Sequence, residues 1–331
     1  MRPGVPLMTV VVTGAAGFVG FHVASALLAR GEHVVGIDNV NDYYDVRLKE
    51  ARLARLAEAK GFTFHRADIA DPDRLSAIFA SSGQVTGVIH LAAQAGVRYS
   101  LINPYAYIHA NVLGQVAIFE TVRGLNPIPP LVYASSSSVY GGNDKFPFSV
   151  ADRVDHPVSL YAATKRGGEL LAESYAAMYC LPSTGLRFFT LYGPWGRPDM
   201  AYYSFTAAIL AGEAIPVFNE GKLERDFTYI DDAVQGILAA LDQPADPTHR
   251  HRLYNLGNNK PEPVLRFIKV IEQALGCKAM LHFKPMQPGD VKATAADIED
   301  SRRDLGFEPK IGIDEGIPRF VKWYKAYHGI G

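Results

Sequence analysis

From residue 8 the chain alternates short β-branched runs with longer amphipathic ones: MTVVVTG, then FVGFHVASALLARG, then HVVGID, then the polar DVRLKEARLARLAEAKG. The first and third have the length and composition of strands, the second and fourth the period of helices, so the chain opens as a βαβ unit. FTFHRADIAD, VTGVIHLAA and PPLVYASS predict further buried strands, with helical patterns near 72–80, 104–123 and 159–179 between them. Strands apolar on both sides predict an α/β fold, a doubly wound parallel sheet covered by helices on both faces. After STGLRFF the composition shifts: LYGPWGRPDM is rich in Gly, Pro and aromatics, and IPVFNEGKLERDFTYIDD predicts short strands and turns. We therefore expect residues 8–189 to form the sheet domain, 231–273 to return to it, and 190–230 with 274–331 to form a smaller C-terminal α/β lobe. No repeat or linker separates the two, and the cleft between them is the expected site.

A length of 331 residues suits this division, and a hydrophobic content of 48% with 20% charged residues supports a sizeable core. The net charge of -1 gives no electrostatic pull toward nucleic acid or a membrane. Cys180 and Cys277 form no CxxC pair and the histidines show no ligand spacing, which argues against a disulfide scaffold or a metal site. The thiols read as reduced and structural. The first apolar run is too short, and too soon broken by glycine, for a signal or membrane segment, so a cytoplasmic protein is expected.

Gly14, Gly17 and Gly20 directly follow the first strand and open the first helix. A pyrophosphate must approach backbone N–H groups there and rest on the helix N-terminus, where side chains would block it. The spacing is GxxGxxG, one residue wider than the commonest dinucleotide fingerprint, and alone it is also compatible with a tight turn. The next strand ends at Asp38, placed to accept from adenosine ribose hydroxyls and to repel a 2′-phosphate. That pairing favours NAD and a Rossmann domain. Asp38 also suits a helix N-cap, and Asp68 either reaches the adenine or caps in solvent.

Tyr161 and Lys165 share one helix face at i and i+4. A neighbouring ammonium favours phenolate, as a general base acting on an alcohol requires. Tyr-x-x-x-Lys is also a common structural pattern. Here the hydroxyl-rich strand end Ser135–Ser138 precedes it and the glycine loop lies far upstream.

In order and spacing, TGAAGFVG, HLAAQAGV, ASSSSVYG, SLYAATK, RFFTLYGP and RDFTYIDD make the chain resemble the extended short-chain dehydrogenase/reductase family over nearly its whole length. Within that family, GIDNVNDYYDVRLKEARLARL and LYGPWGRPDM are similar to UDP-glucuronate 4-epimerases, with UDP-glucuronate decarboxylases and UDP-galactose 4-epimerases as the alternatives. The resemblance implies a bound NAD held by Gly14, Gly17, Phe18, Val19, Gly20, Asp38, Asn39, Asp68, Ile69, Leu91, Ala92, Ala93 and Gln94. It implies Ser136 as the hydroxyl that meets the reacting sugar, Tyr161 as general base, and Lys165 as partner of the nicotinamide ribose. Asn111 matches a supporting position, or is a capped or solvated amide.

For a UDP-sugar substrate the resemblance implies Arg225 on the diphosphate, Asp290 on the uridine ribose, and Val217 and Phe218 at the uracil. Arg197 suits a uronate carboxylate, which a guanidinium can clamp through two parallel hydrogen bonds; it also suits an ion pair with Asp199. Ser137, Ser138 and Thr190 add hydroxyls. Dehydratases carry an Asp-Glu pair where Ser137 and Ser138 stand, so elimination is disfavoured. Thr190 replaces an asparagine, and Gln287 an arginine, of many galactose-type epimerases. His90, Tyr99 and the aromatics of AYYSF read as packing. A homodimer through the helices near 104–123 and 159–179 is the implied assembly.

Overall fold

TVVVT forms β1 (Thr9–Thr13), every residue of it buried. β-branching stiffens χ1 and suits the pleated surface of a strand covered on both faces. The computed structural model describes residues 9–245, 250–286 and 291–331. Helix α1 (Phe18–Ala29) leads to β2 (His33–Asp38), α2 (Val46–Ala57), β3 (Phe62–Arg66), α3 (Pro72–Ser81) and β4 (Val85–His90). The next helical stretch is α4 (Pro104–Tyr107), a π-helical turn over Ile108–Leu113, and α5 (Gly114–Arg123). β5 (Leu131–Ser136), α6 (Leu160–Tyr179) and β6 (Ser183–Phe188) follow. The seven-stranded sheet runs β10-β6-β5-β4-β1-β2-β3, with β10 being His251–Leu256 and every pairing parallel. β3 is the outer edge and only half buried, where a buried strand was expected; an edge strand needs apolar cover on fewer sides.

Strand order reverses between β1 and β4. At such a switch point the neighbouring crossovers diverge and leave a crevice at the carboxyl ends of the strands.

The lobe begins with β7 (Thr190–Tyr192) and α7 (Ala201–Ala211), then β8 (Ala214–Phe218) and β9 (Glu224–Tyr229). β9 pairs in parallel with β7 and antiparallel with β11 (Pro261–Pro263), while β8 pairs with β12 (Met280–Lys284). α8 (Ile230–Asp242) packs on α1, and with β10 it rejoins the large sheet. α9 (Val264–Leu275) instead turns Phe267, Ile268 and Ile271 inward and packs with α7 and α11 (Ile313–His328). α10 (Glu299–Leu305) lies against β10 and α8. Cys180 and Cys277 are free and exposed. No helix among the described residues is long and apolar enough to cross a membrane.

Candidate active site

The glycine loop turns at Gly14, with φ +73 and its N–H donating to the Ile37 carbonyl at 2.7 Å. A Cβ there would stand 2.8 Å from the Ala92 nitrogen, and one at Gly20 would run into the Gly14 carbonyl. The loop is therefore wedged between β4's exit and α1, and only glycine fits at both contacts. Gly17 precedes α1 in extended geometry and contributes no side-chain cap, so the helix's leading N–H groups face the crevice as an anion seat. Asp38 does not cap a helix; Asp45 caps α2 instead. The Asp38 carboxylate accepts from the N–H groups of Ala16 at 3.1 Å and Val40 at 2.8 Å. Burial raises its pKa, against the pull of those hydrogen bonds and of Lys49. Asp68 accepts from Ala70 N–H at 2.8 Å and pairs with His109 at 3.1 Å. Its desolvation is outweighed by these partners, and its pKa falls.

One cavity of about 660 Å³ runs from this loop to the lobe. It is lined by Gly14, Gly17, Phe18, Val19, Gly20, Asp38, Asn39, Asp68, Ile69, Leu91, Ala92, Ala93 and Gln94, the whole set expected to hold a dinucleotide. Tyr161, Lys165 and Ser136 line it too.

Ser159 caps α6 by accepting from Ala162 N–H, which starts the helix so that Tyr161 falls in its first turn. Lys165, one turn on, donates to the Ala134 carbonyl at 3.0 Å, and burial brings its pKa down to about 8. The pKa of Tyr161 is raised, the reverse of what a lysine neighbour alone predicts. Burial is the larger influence, opposed by the Ser136 hydroxyl and the Arg197 charge. Ser136 ends β5, and its Oγ accepts from Ser138 N–H at 3.2 Å. Ser135, the residue before it, also lines the cavity, and its hydroxyl donates to Glu169 at 2.6 Å. Asn111 is buried and neither caps nor meets solvent: it accepts from Gln94 N–H at 2.8 Å and donates to the Gln94 carbonyl and Thr164.

The cavity also receives Ser137 and Ser138 from the turn after β5, and Thr190 and Arg197 from the lobe side. Arg197 is in ion-pair range of Asp199 at 3.4 Å, so both roles open to it in sequence are compatible with its place. Three of the expected substrate residues, Val217, Phe218 and Arg225, are not part of the lining. Val217 is 1% exposed in the core, since successive strand residues point to opposite faces and β8 buries this one. Phe218 lies under the Arg98 guanidinium at 5.2 Å, and Arg98 reaches the cavity. Arg225 donates to the Glu224 carbonyl at 2.8 Å and does not line the cavity. Asp290, like Gln287, lies outside the described residues. His90 is packing as expected, hydrogen-bonded to Thr13 at 2.7 Å. Tyr99 is more than that, lining the cavity beside Tyr43, whose hydroxyl donates to Asp199 at 3.2 Å. Lys49, Tyr43 and Arg98 are cavity residues that sequence reasoning missed: Tyr43 and Lys49 lie in the segment 36–56 that carries the family resemblance, but nothing in it singles them out, and only the fold brings the three together.

Residues 10–257 match the model of the NAD dependent epimerase/dehydratase family. The chain belongs to this family. Among its members, UDP-glucuronate 4-epimerase 4 of Arabidopsis thaliana is 49% identical, the match covering 97% of this chain and 76% of that protein. The crystal structure of UDP-glucuronic acid 4-epimerase from Bacillus cereus, in complex with UDP-glucuronic acid and NAD, is 33% identical with a TM-score of 0.90, covering 97% of this chain and 100% of the other. The UDP-glucose 4-epimerase of Thermotoga maritima, with UDP-glucose, is 28% identical with a TM-score of 0.87 over 97% and 100% of the two chains. A dinucleotide of the epimerase/dehydratase family fits the residues present here: the loop has no room for side chains, the helix start is uncapped, and an acidic residue ends β2.

Proposed function

We propose that the protein is a UDP-glucuronate 4-epimerase, interconverting UDP-glucuronate and UDP-galacturonate with NAD retained in the cleft. The observation that carries this reading is Arg197. Its guanidinium lines the same cavity as Ser136, Tyr161 and Lys165 and is close enough to Tyr161 for the two to shift each other's ionisation. A cation so near the reacting carbon suits a sugar with a carboxylate at C6. The named activities of the Arabidopsis and Bacillus relatives agree with it.

NAD bound along Gly14–Gly20, Asp38 and Ala92–Gln94 supplies reversible hydride acceptance at the sugar's C4. Tyr161 takes the proton of the C4 hydroxyl and later returns it, with Ser136 donating to the same oxygen. Lys165 holds the nicotinamide ribose and keeps a positive charge beside the phenol. The 4-keto sugar then rotates so that either face can be reduced, and net redox is zero. Because that sugar is a β-keto acid, it loses carbon dioxide if its C5–C6 bond aligns with the carbonyl π system. Arg197, with Ser137, Ser138 and Thr190, holds the carboxylate out of that alignment.

Incubation with UDP-glucuronate and no added cofactor, followed by NMR, tests the reading: a mixture of the two epimers is expected, whereas pentose or accumulated 4-keto product rejects it. Arg197→Ala is expected to weaken UDP-glucuronate binding by about tenfold or more, in line with losing a charge-assisted hydrogen bond, and to release carbon dioxide. Turnover of UDP-glucuronate equal to wild type would remove Arg197 from this role. The charge on Lys165 is present below about pH 8 and lost above it. We therefore expect the rate to decline through that pH, and a rate still climbing at pH 10 would show that the ammonium is not needed.

The assembly we propose is a homodimer. Ile108 and Leu113 on the π-turn, with Leu170 and Met178 on α6, are 47%, 51%, 55% and 60% exposed, apolar positions that a second copy would cover. The free thiols suit a reducing compartment, and we place the protein in the cytoplasm.

A further inference from the structure

Arg52 lies on α2, outside the cavity lining, and is 0% exposed. Burying a guanidinium is costly unless all its donors are satisfied, and among the described residues no carboxylate hydrogen-bonds to it. Nη1 donates to the Ala16 carbonyl of the glycine loop at 2.8 Å and to the Tyr44 hydroxyl at 2.7 Å. Nε and Nη2 donate to the Trp195 carbonyl at 3.1 and 2.5 Å, and Nη2 also to the Gly196 carbonyl at 3.1 Å. One side chain thus joins the loop that seats the dinucleotide to the residues immediately before Arg197.

The turn it grips needs holding. Trp195 adopts φ +61, a left-handed conformation that bulky residues rarely take. Its ring is packed by Phe21 of α1, Trp323 and Tyr327 of α11, and the Arg55 guanidinium. His22, also on α1, donates Nε2–H to the Pro194 carbonyl at 2.9 Å. The turn is therefore fastened to the helix that begins at the phosphate loop as well as to α2.

We infer that Arg52 is a positioning residue for substrate selection: it fixes the 194–197 turn against the glycine loop, so that Arg197 meets a carboxylate at C6 at the distance set by the dinucleotide. The inference rests on the uronate reading above. A fork of donors at fixed angles is what two adjacent carbonyls and a third across the gap require, and lysine cannot reproduce it.

The two tryptophans of the chain, Trp195 and Trp323, have ring centroids 5.2 Å apart, so intrinsic fluorescence reports on this turn without turnover. The test compares wild type, Arg52→Lys and Arg52→Met as purified holoproteins, measuring tryptophan emission and the Kd of UDP-glucuronate and of UDP-glucose by calorimetry. In Arg52→Lys we expect altered emission, UDP-glucuronate binding weaker by about tenfold or more, as displacement of a clamp by an ångström or less permits, and UDP-glucose binding within about twofold of wild type. Arg52→Met should show the same pattern more strongly. Equal weakening of both sugars, or no change in either, overturns the inference. So does failure of Arg52→Lys to fold, which would make the residue part of the core and nothing more. Wild type that binds UDP-glucose as tightly as UDP-glucuronate would instead overturn the uronate reading on which the inference stands.

Discussion

Tyr161→Phe is expected to slow epimerisation by about 10²-fold or more, the usual worth of positioned acid–base catalysis, while the protein keeps its dinucleotide. The substitution removes one oxygen and leaves the ring, whose edge contact with Tyr107 at 6.0 Å is a packing feature independent of the hydroxyl. What disappears is the group that Ser136 hydrogen-bonds and that Arg197 polarises. Those two influences oppose burial, which otherwise holds the phenol protonated. The proton transfer is thus supported by two separate side chains, and neither can substitute for the oxygen itself. Single-turnover conversion of UDP-glucuronate, read by NMR, with nucleotide content measured after denaturation, separates the chemical role from a binding one. A variant that turns over normally would leave the phenol without a catalytic role, and one that loses its dinucleotide would make Tyr161 a binding residue first.

The parts of this site that sequence revealed are those whose partners are close along the chain. A glycine spacing between a strand and a helix, an acid at the end of the following strand, and a tyrosine one helical turn from a lysine are local statements, and each falls in the cavity. What stayed hidden depends on contacts between distant segments. Arg52 and Trp195 are 143 residues apart, and nothing in RLKEARLARL distinguishes the arginine that turns inward from those on the solvent side. Direction was the second loss. Ser135 and Ser136 are neighbours with the same chemistry, yet strand alternation sends one hydroxyl to Glu169 and leaves the other by Tyr161. The same rule separates Val217 from Phe218. The third was ionisation, because desolvation is a property of the folded surroundings. Residue spacing gives the charge beside Tyr161, but only burial makes the net shift upward.

Glu169→Ala should be the most destabilising of the substitutions considered. Glu169 stands on the Tyr161–Lys165 face of α6, two turns after Tyr161, and its side chain is 0% exposed against Arg187 at 1%. The pair is bidentate, with Nε and Nη2 each 2.8 Å from a carboxylate oxygen, and Ser135 adds a third donor. Desolvation alone would raise the Glu169 pKa, but Arg187, Ser135 and Arg166 outweigh it and the pKa falls. With its folded pKa depressed, the carboxylate stabilises the protein above its unfolded pKa, and that contribution is lost as pH drops through the folded value. At neutral pH the contribution is complete. Removing the carboxylate strands a buried guanidinium over the Tyr140 ring, at a cost of about 3–5 kcal/mol for breaking one side of a buried pair. Denaturant unfolding at pH 7 measures this, and the double variant Glu169→Met with Arg187→Met should recover much of the loss, since an apolar pair of similar volume needs no countercharge. A single variant as stable as wild type would show that the pair contributes nothing. Activity supplies a second, separable readout. Glu169 also raises the pKa of Lys165 against its burial, so any folded Glu169→Ala protein should lose its rate below the wild-type limit of about pH 8. An unshifted alkaline limb would confine Glu169 to stability and detach it from the lysine.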